Sequence, residues 1–191
     1  NAHYRTRKPV FEYIKQVADA QEFTPTVDAF SSDAHKCLDT YWSAHSDAFD
    51  KDWSEPHTLW IHPPLKYLPR IVEKIYRDQA RGIILCPVHT TSAWFHALAC
   101  ITFFWWDFPQ DSFLFENPRG IPLPAFTAVT WRVAFFDAYN ATRTLSSEDE
   151  DRVYRFKPHR FPSLQLFSDS QLDTMQNSSV IESSSPHPDA V

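Results

Sequence analysis

An apolar run, Leu59-Trp60-Ile61, leads straight into His62-Pro63-Pro64-Leu65. The two prolines forbid continuation of a strand, so the polar residue before them is set at a strand end. In open α/β sheets ligands bind beyond the carboxyl ends of strands. His62, Asp28 in the run Thr26–Phe30, and His89 after Pro87 all stand at such ends. A neutral imidazole offers one acceptor nitrogen, and Leu65 offers no flat aromatic face. Chemistry at this turn is therefore limited to what a single ring nitrogen can hold or deprotonate.

Two other groupings compete with it. Lys66, Arg70, Lys74, Arg77 and Arg81 fall within roughly 80° of arc on a helical projection and could follow a phosphate backbone. Arg5, Arg7 and Lys8 add a basic start, and Arg152–Arg160 interleaves cations with Tyr154 and Phe156, a texture that suits single-stranded RNA. The bland reading of the helical stripe is a solvated face on which Glu73 pairs with Arg70 or Arg77. His35, Cys37, His45, His57, His62 and His89 lack ligand spacing beyond the pair His35/Cys37, so no metal is expected. Ser92 has no nucleophile-elbow context.

The elements that position these residues follow an α/β alternation. Residues 1–8 read as an extended basic arm. Pro9 opens a helix with an apolar stripe through Val10, Phe11, Ile14, Val17 and Ala18. Thr26–Phe30 reads as a strand, Ser31–Ser43 as polar loop, and Thr58–Ile61 as the next strand. Lys66–Arg81 is the strongest helix, ended by Gly82. Ile83–Cys86 reads as a buried parallel strand. Ala93–Phe104, apolar nearly all round, reads as a buried helix. Phe113–Phe115 and Val129–Phe136 are expected to complete the sheet. The spacing predicts an α/β layered fold with right-handed crossovers over residues 9–140, flanked by arms 1–8 and 141–191. Ser168–Val191, polar and Ser/Pro-rich, is expected to be disordered on its own, and the acidic run Glu148–Asp151 has no assigned role.

Composition removes several function classes. The chain of 191 residues holds only 2 glycines, so no glycine-rich nucleotide loop can be built. A net charge of −6 argues against a general nucleic-acid coating protein. Three cysteines without a C-x-x-C pair point to a reducing, intracellular compartment. The apolar run Ala97–Trp106 is far below the ~20 residues of a membrane span. A start at Asn1 with the basic, acid-free His3–Lys8 is what a fragment or an import-processed mitochondrial protein would show.

Taken in order, several short pieces resemble one family. They are Thr26-Val27-Asp28-Ala29-Phe30-Ser31, Ala34-His35-Lys36-Cys37 with Tyr41-Trp42-Ser43, and Asp47-Ala48-Phe49 with Asp52-Trp53-Ser54. Leu59–Leu65, Val72-Glu73-Lys74-Ile75, Gly82–Pro87 and Ser92-Ala93-Trp94-Phe95 follow. The chain is similar over Thr24–Phe95 to the phage-type DNA adenine methyltransferase (Dam-like) domain. That domain is also carried in DIRS-type and gypsy-type retrotransposon polyproteins. Residues 113–136, with Arg119–Pro124, resemble the retroelement form.

The resemblance implies a three-layer, Rossmann-like methyltransferase fold with a mostly parallel sheet. It also implies an Asp or Asn before the prolines that accepts hydrogen bonds from the target amine, and an aromatic after them that stacks on a flipped base. This chain has His62 and Leu65 there, so the motif His62-Pro63-Pro64-Leu65 is degenerate. By the same resemblance, Asp28 and Asp52 would be the acidic groups near the pocket for S-adenosylmethionine (SAM). The expectation is an inactive, retroelement-derived domain with no cofactor. It would act as a structural, RNA-contacting subunit beside neighbouring proteins of a ribonucleoprotein such as an organellar ribosome, without membrane or metal. An active SAM-dependent adenine methyltransferase and an accessory domain of a retrotransposon polyprotein are the alternatives.

Overall fold

The computed structural model describes residues 4–43, 47–110, 112–123 and 129–145. In chain order the elements are β1 (Arg5–Thr6), α1 (Lys8–Ala20), β2 (Val27–Ser31), β3 (Tyr41–Ser43), α2 (Asp47–Asp50) and β4 (Leu59–Ile61). A 3-10 turn (Leu65–Tyr67) leads into α3 (Leu68–Asp78), followed by β5 (Arg81–Pro87), α4 (Ala93–Cys100) and β6 (Thr102–Phe108). The last are β7 (Phe115–Glu116), β8 (Pro122–Leu123), β9 (Trp131–Asp137) and α5 (Ala138–Leu145).

Six strands form one sheet in the order β3-β2-β4-β5-β9-β6. β2, β3, β4 and β5 pair in parallel, and β9 runs antiparallel between β5 and β6. Five strands thus share one direction and β9 alone reverses it. Side chains leave the sheet alternately. Trp60, Ile83 and Leu85 enter the core under α1, whereas Leu59, Ile61, Ile84 and Cys86 enter the core under α3 and α4. A helix layer on each face of a mostly parallel sheet is the three-layer α/β arrangement that the alternation of elements predicts. β1, β7 and β8 form a separate small sheet.

Several boundaries differ from the sequence reading. The third helix ends at Asp78, and Gln79 takes the left-handed conformation (φ 52) as its cap. Gly82 lies inside β5, where a Cβ would meet the Leu59 carbonyl oxygen at 2.4 Å. Glycine is needed there for close strand approach, and helix termination has been delegated to Gln79. Gly82→Ala will therefore lower stability by about 2 kcal/mol in urea unfolding; an unchanged midpoint would show that β4 and β5 can separate freely.

The expected buried helix Ala93–Phe104 stops at Cys100. Ala93, His96 and Cys100 are exposed on α4, and Thr102–Phe108 becomes β6. Its aromatic run pairs with β9, and register partners Asp107 and Arg132 are joined by Nε–Oδ1 at 2.7 Å and Nη2–Oδ2 at 3.1 Å. Tertiary pairing outweighs helix propensity in such a run. Phe115 joins the small sheet and not the main one, and Tyr41–Ser43 forms β3 in the expected loop. The arm is also shorter than residues 1–8: Arg5–Thr6 pair with β7, and Lys8 opens α1.

α5 continues past residue 140 to Leu145; residues 146–191, including the acidic run, the basic-aromatic segment and the Ser/Pro tail, lie outside the described residues. No helix among the described residues is long and apolar enough to cross a membrane.

Candidate functional site

The chain leaves β2 for β3 on one side and reaches β4 on the other, so the crevice above β2 and β4 is the topological switch point of the sheet. Asp28 pairs in register with Trp60, and Trp60 belongs to the α1-side core. By alternation Asp28 and His62 project to that same face. The fold thus brings together two of the residues that the sequence singles out, from positions far apart in the chain.

The His62 ring lies in a sleeve of the protein's own residues. It stacks on Phe115 at 4.9 Å and 14°, and meets Tyr4 at 5.5 Å and Trp131 at 6.3 Å. The Thr6 hydroxyl shares a hydrogen bond of 2.8 Å with Nδ1. Nε2 is buried and makes no hydrogen bond. Desolvation therefore pushes the imidazole pKa down to about 4, leaving the ring neutral at physiological pH. Thr6, Tyr4, Phe115 and Trp131 are the site residues that sequence reasoning missed. They come from the presumed arm and from β7 and β9, and no local periodicity links them to the Pro-Pro turn. Leu65, in contrast, is 40% exposed.

Asp28 is 3% exposed. Its Oδ2 accepts the Cys37 backbone N–H at 2.6 Å, and the Leu38 N–H and Ser31 hydroxyl also favour its charged form. Desolvation outweighs these bonds and raises its pKa to about 7. Burial likewise pushes the Cys37 thiol far up, with the Asp28 charge beside it adding to the effect.

Strand alternation would send Phe30 to the face of Asp28. Instead Phe30 has φ 66, and its ring packs in the opposite core on Phe49 at 5.0 Å and Trp53 at 5.7 Å. A bulky residue in the left-handed region is strained, and such strain collects at functional crevices.

Asp52 does not join Asp28. It is exposed, its Oδ1 accepts the Ser54 N–H at 2.9 Å, and this turn holds its carboxyl below the usual range. Neighbouring Trp53 packs in the α3-side core, on the other face of the sheet from Asp28. His89, at the end of β5, is exposed and its Nδ1 meets the Ser92 hydroxyl. That contact also explains why Ser92, the N-cap of α4, gives no side-chain cap.

The five-cation stripe divides. Lys74 is 8% exposed, with Nζ 2.8 Å from Asp78 and 5.2 Å from the Trp53 ring centroid. Arg81 belongs to β5, and its Nη1 lies 3.7 Å from Glu55. Lys66, Arg70 and Arg77 remain exposed. The arc assumed one unbroken helix, and the 3-10 turn at one end and the strand at the other remove that premise.

Of the amino-terminal cations, Arg5 binds Glu116 at 2.6 Å and the Ala34 carbonyl at 2.9 Å. Arg7 is 5% exposed, and its Nη1 reaches the Phe113 carbonyl at 3.3 Å. Only Lys8 of these three is exposed. Among the described residues no group of three or more His, Cys, Asp or Glu could hold a metal ion; His45 lies outside them.

A comparison with curated proteins and with solved structures finds no match. The family model for DNA N-6-adenine-methyltransferase (Dam) matches residues 2–106, a span that runs from the amino-terminal strand through the Pro-Pro turn into β6. That span is more than half of the 191 residues, and with the switch-point crevice and the Pro-Pro strand end it assigns the ancestry: the chain belongs to the DNA N-6-adenine-methyltransferase (Dam) family.

Proposed function

We propose that this Dam-family domain no longer transfers methyl groups and serves as a structural, RNA-contacting subunit of a ribonucleoprotein assembly. One observation carries the first half: the residue before the prolines is a histidine enclosed by Tyr4, Thr6, Phe115 and Trp131. Holding an exocyclic amine requires an acceptor facing the substrate. Nδ1 of His62 is occupied by Thr6, and Nε2 is buried among side chains. Leu65, in the position of the base-stacking aromatic, has no ring. SAM, where a Dam enzyme binds it, supplies the methyl group; here Asp28 is bonded to its own loop at Cys37.

The second half rests on the exposed cations Lys66, Arg70 and Arg77 beside the degenerate turn. The retroelement-like run at residues 113–136 supports descent from a mobile-element copy of the family.

Calorimetric titration with SAM to millimolar concentration will give no binding heat. Heat that disappears in Asp28→Ala would overturn the inactive reading. Crosslinking in cell extract will join the Lys66–Arg77 face to RNA, and a monomer recovered without crosslinked RNA would end the subunit reading.

A further inference from the structure

The exposed end of α3 carries cations that are already laid on rings. The Arg70 guanidinium carbon is 3.8 Å from the Phe49 ring centroid. Phe49 is held in turn, edge-on to Tyr67 at 5.7 Å and stacked on Trp53 at 6.1 Å and 24°. Lys66 Nζ sits 4.9 Å from the Tyr67 ring centroid. Trp53 is fully buried, so this chain of rings anchors Arg70 to the core.

Lys66, Arg70 and Arg77 form no ion pair with another described residue, although Glu73 is at helical spacing from both arginines. Lys74 and Arg81, which sequence spacing groups with them, are paired to Asp78 and Glu55. The structure therefore selects three cations without an ion-pair partner among the described residues, one of which has its guanidinium carbon seated 3.8 Å from an aromatic ring centroid.

We infer that this surface is a stacking platform for single-stranded nucleic acid. One unpaired base lies on the free face of Arg70, and Lys66 and Arg77 hold flanking phosphates. This rests on the nucleic-acid half of the function proposed above and adds the class of partner and the mode of contact. Guanidinium planes stack on bases, and a side chain fixed in advance loses little entropy when it does so. Arg77 lies two helical turns, about 10 Å, beyond Arg70, within reach of a neighbouring phosphate. An acidic peptide would use the charges alone and would draw nothing from the ring beneath Arg70. A duplex offers no free base face.

The test is fluorescence anisotropy with a labelled 12-nucleotide single-stranded RNA across a salt series, using the full chain. Arg70→Lys keeps the charge and removes the plane. It will weaken binding about tenfold with an unchanged dependence of log Kd on log salt. Lys66→Gln and Arg77→Gln will each lower that slope by about 0.7. All three positions are exposed, and matched melting curves will confirm folding.

Wild-type binding by Arg70→Lys would overturn the platform, as would equal affinity for an RNA duplex, for polyphosphate or for a poly-glutamate peptide. So would the absence of any RNA binding. SAM binding in the calorimetric experiment would refute the inactive reading and leave this contact standing, so the two failures are distinguishable.

Discussion

Asp28→Asn will destabilise the protein at pH 4 and stabilise it at pH 8, with the two unfolding curves crossing between. The Asp28 carboxyl has a folded pKa of about 7 against an ordinary value of 3.8. The folded state therefore holds a proton that the unfolded chain has released, and wild-type stability falls as pH rises through that window. The full loss is about 4 kcal/mol by pH 8.

Asparagine does not titrate, so it escapes that loss. Its NH2 group cannot accept, whereas the hydroxyl oxygen of a protonated carboxyl and both oxygens of a carboxylate can, and Cys37 and Leu38 each present an N–H. The missing acceptor costs about 2 kcal/mol at every pH. The net change is then about −2 kcal/mol at pH 4 and about +2 kcal/mol at pH 8. Urea unfolding at pH 4, 6 and 8 reads it directly, and parallel wild-type and variant curves would show that the carboxyl is not desolvated in solution.

His62 has the opposite slope. Its pKa is depressed from 6.5 to about 4, so the unfolded chain takes up a proton that the folded ring refuses. The contribution is fully present above pH 6.5 and declines by about 3 kcal/mol as pH falls to 4. In the wild type this offsets Asp28 across much of the same range, and only variants separate the two.

His62→Phe keeps a ring against Phe115 and Trp131 and removes the titration, leaving the Thr6 hydroxyl without its partner at about 1 kcal/mol. Near pH 7 the variant will be slightly less stable than wild type, and at pH 4 about 2 kcal/mol more stable once Asp28 is held as Asn in both. Hydrogen exchange at the Arg7 amide, which donates to the Leu114 carbonyl at 2.9 Å, will report the same event locally. Acid will release the β1 pairing in wild type and spare it in His62→Phe. Equal acid sensitivity of that amide in both proteins would place the protonation elsewhere.

These two groups also show how unevenly the chain is legible. The apolar runs Leu59–Ile61 and Ile83–Cys86 and the periodic faces of α1 and α3 announce a layered α/β fold, because period 2 and period 3.6 are local properties. The Pro-Pro stop at His62 is local too, as is the ordered set of short motifs that marks the family. What could not be read is every decision made by pairing between distant segments. Thr102–Phe108 is a strand because β9 lies alongside it, and Gly82 serves strand approach because Leu59 is there. Lys74 turns inward because Asp78 and Trp53 meet it.

The Pro-Pro turn makes the division sharpest. Residue types alone dictated that a histidine and a leucine replace the groups that would hold and stack a base. Burial and neighbours across more than fifty residues decided that the histidine is neutral and enclosed, since Thr6 and Phe115 reach it only through the folded chain. The same holds for the acids: the family resemblance implies one role for Asp28 and Asp52, and burial decides that the first is desolvated and the second exposed. Charge is encoded residue by residue, but desolvation and convergence exist only once the layers have closed.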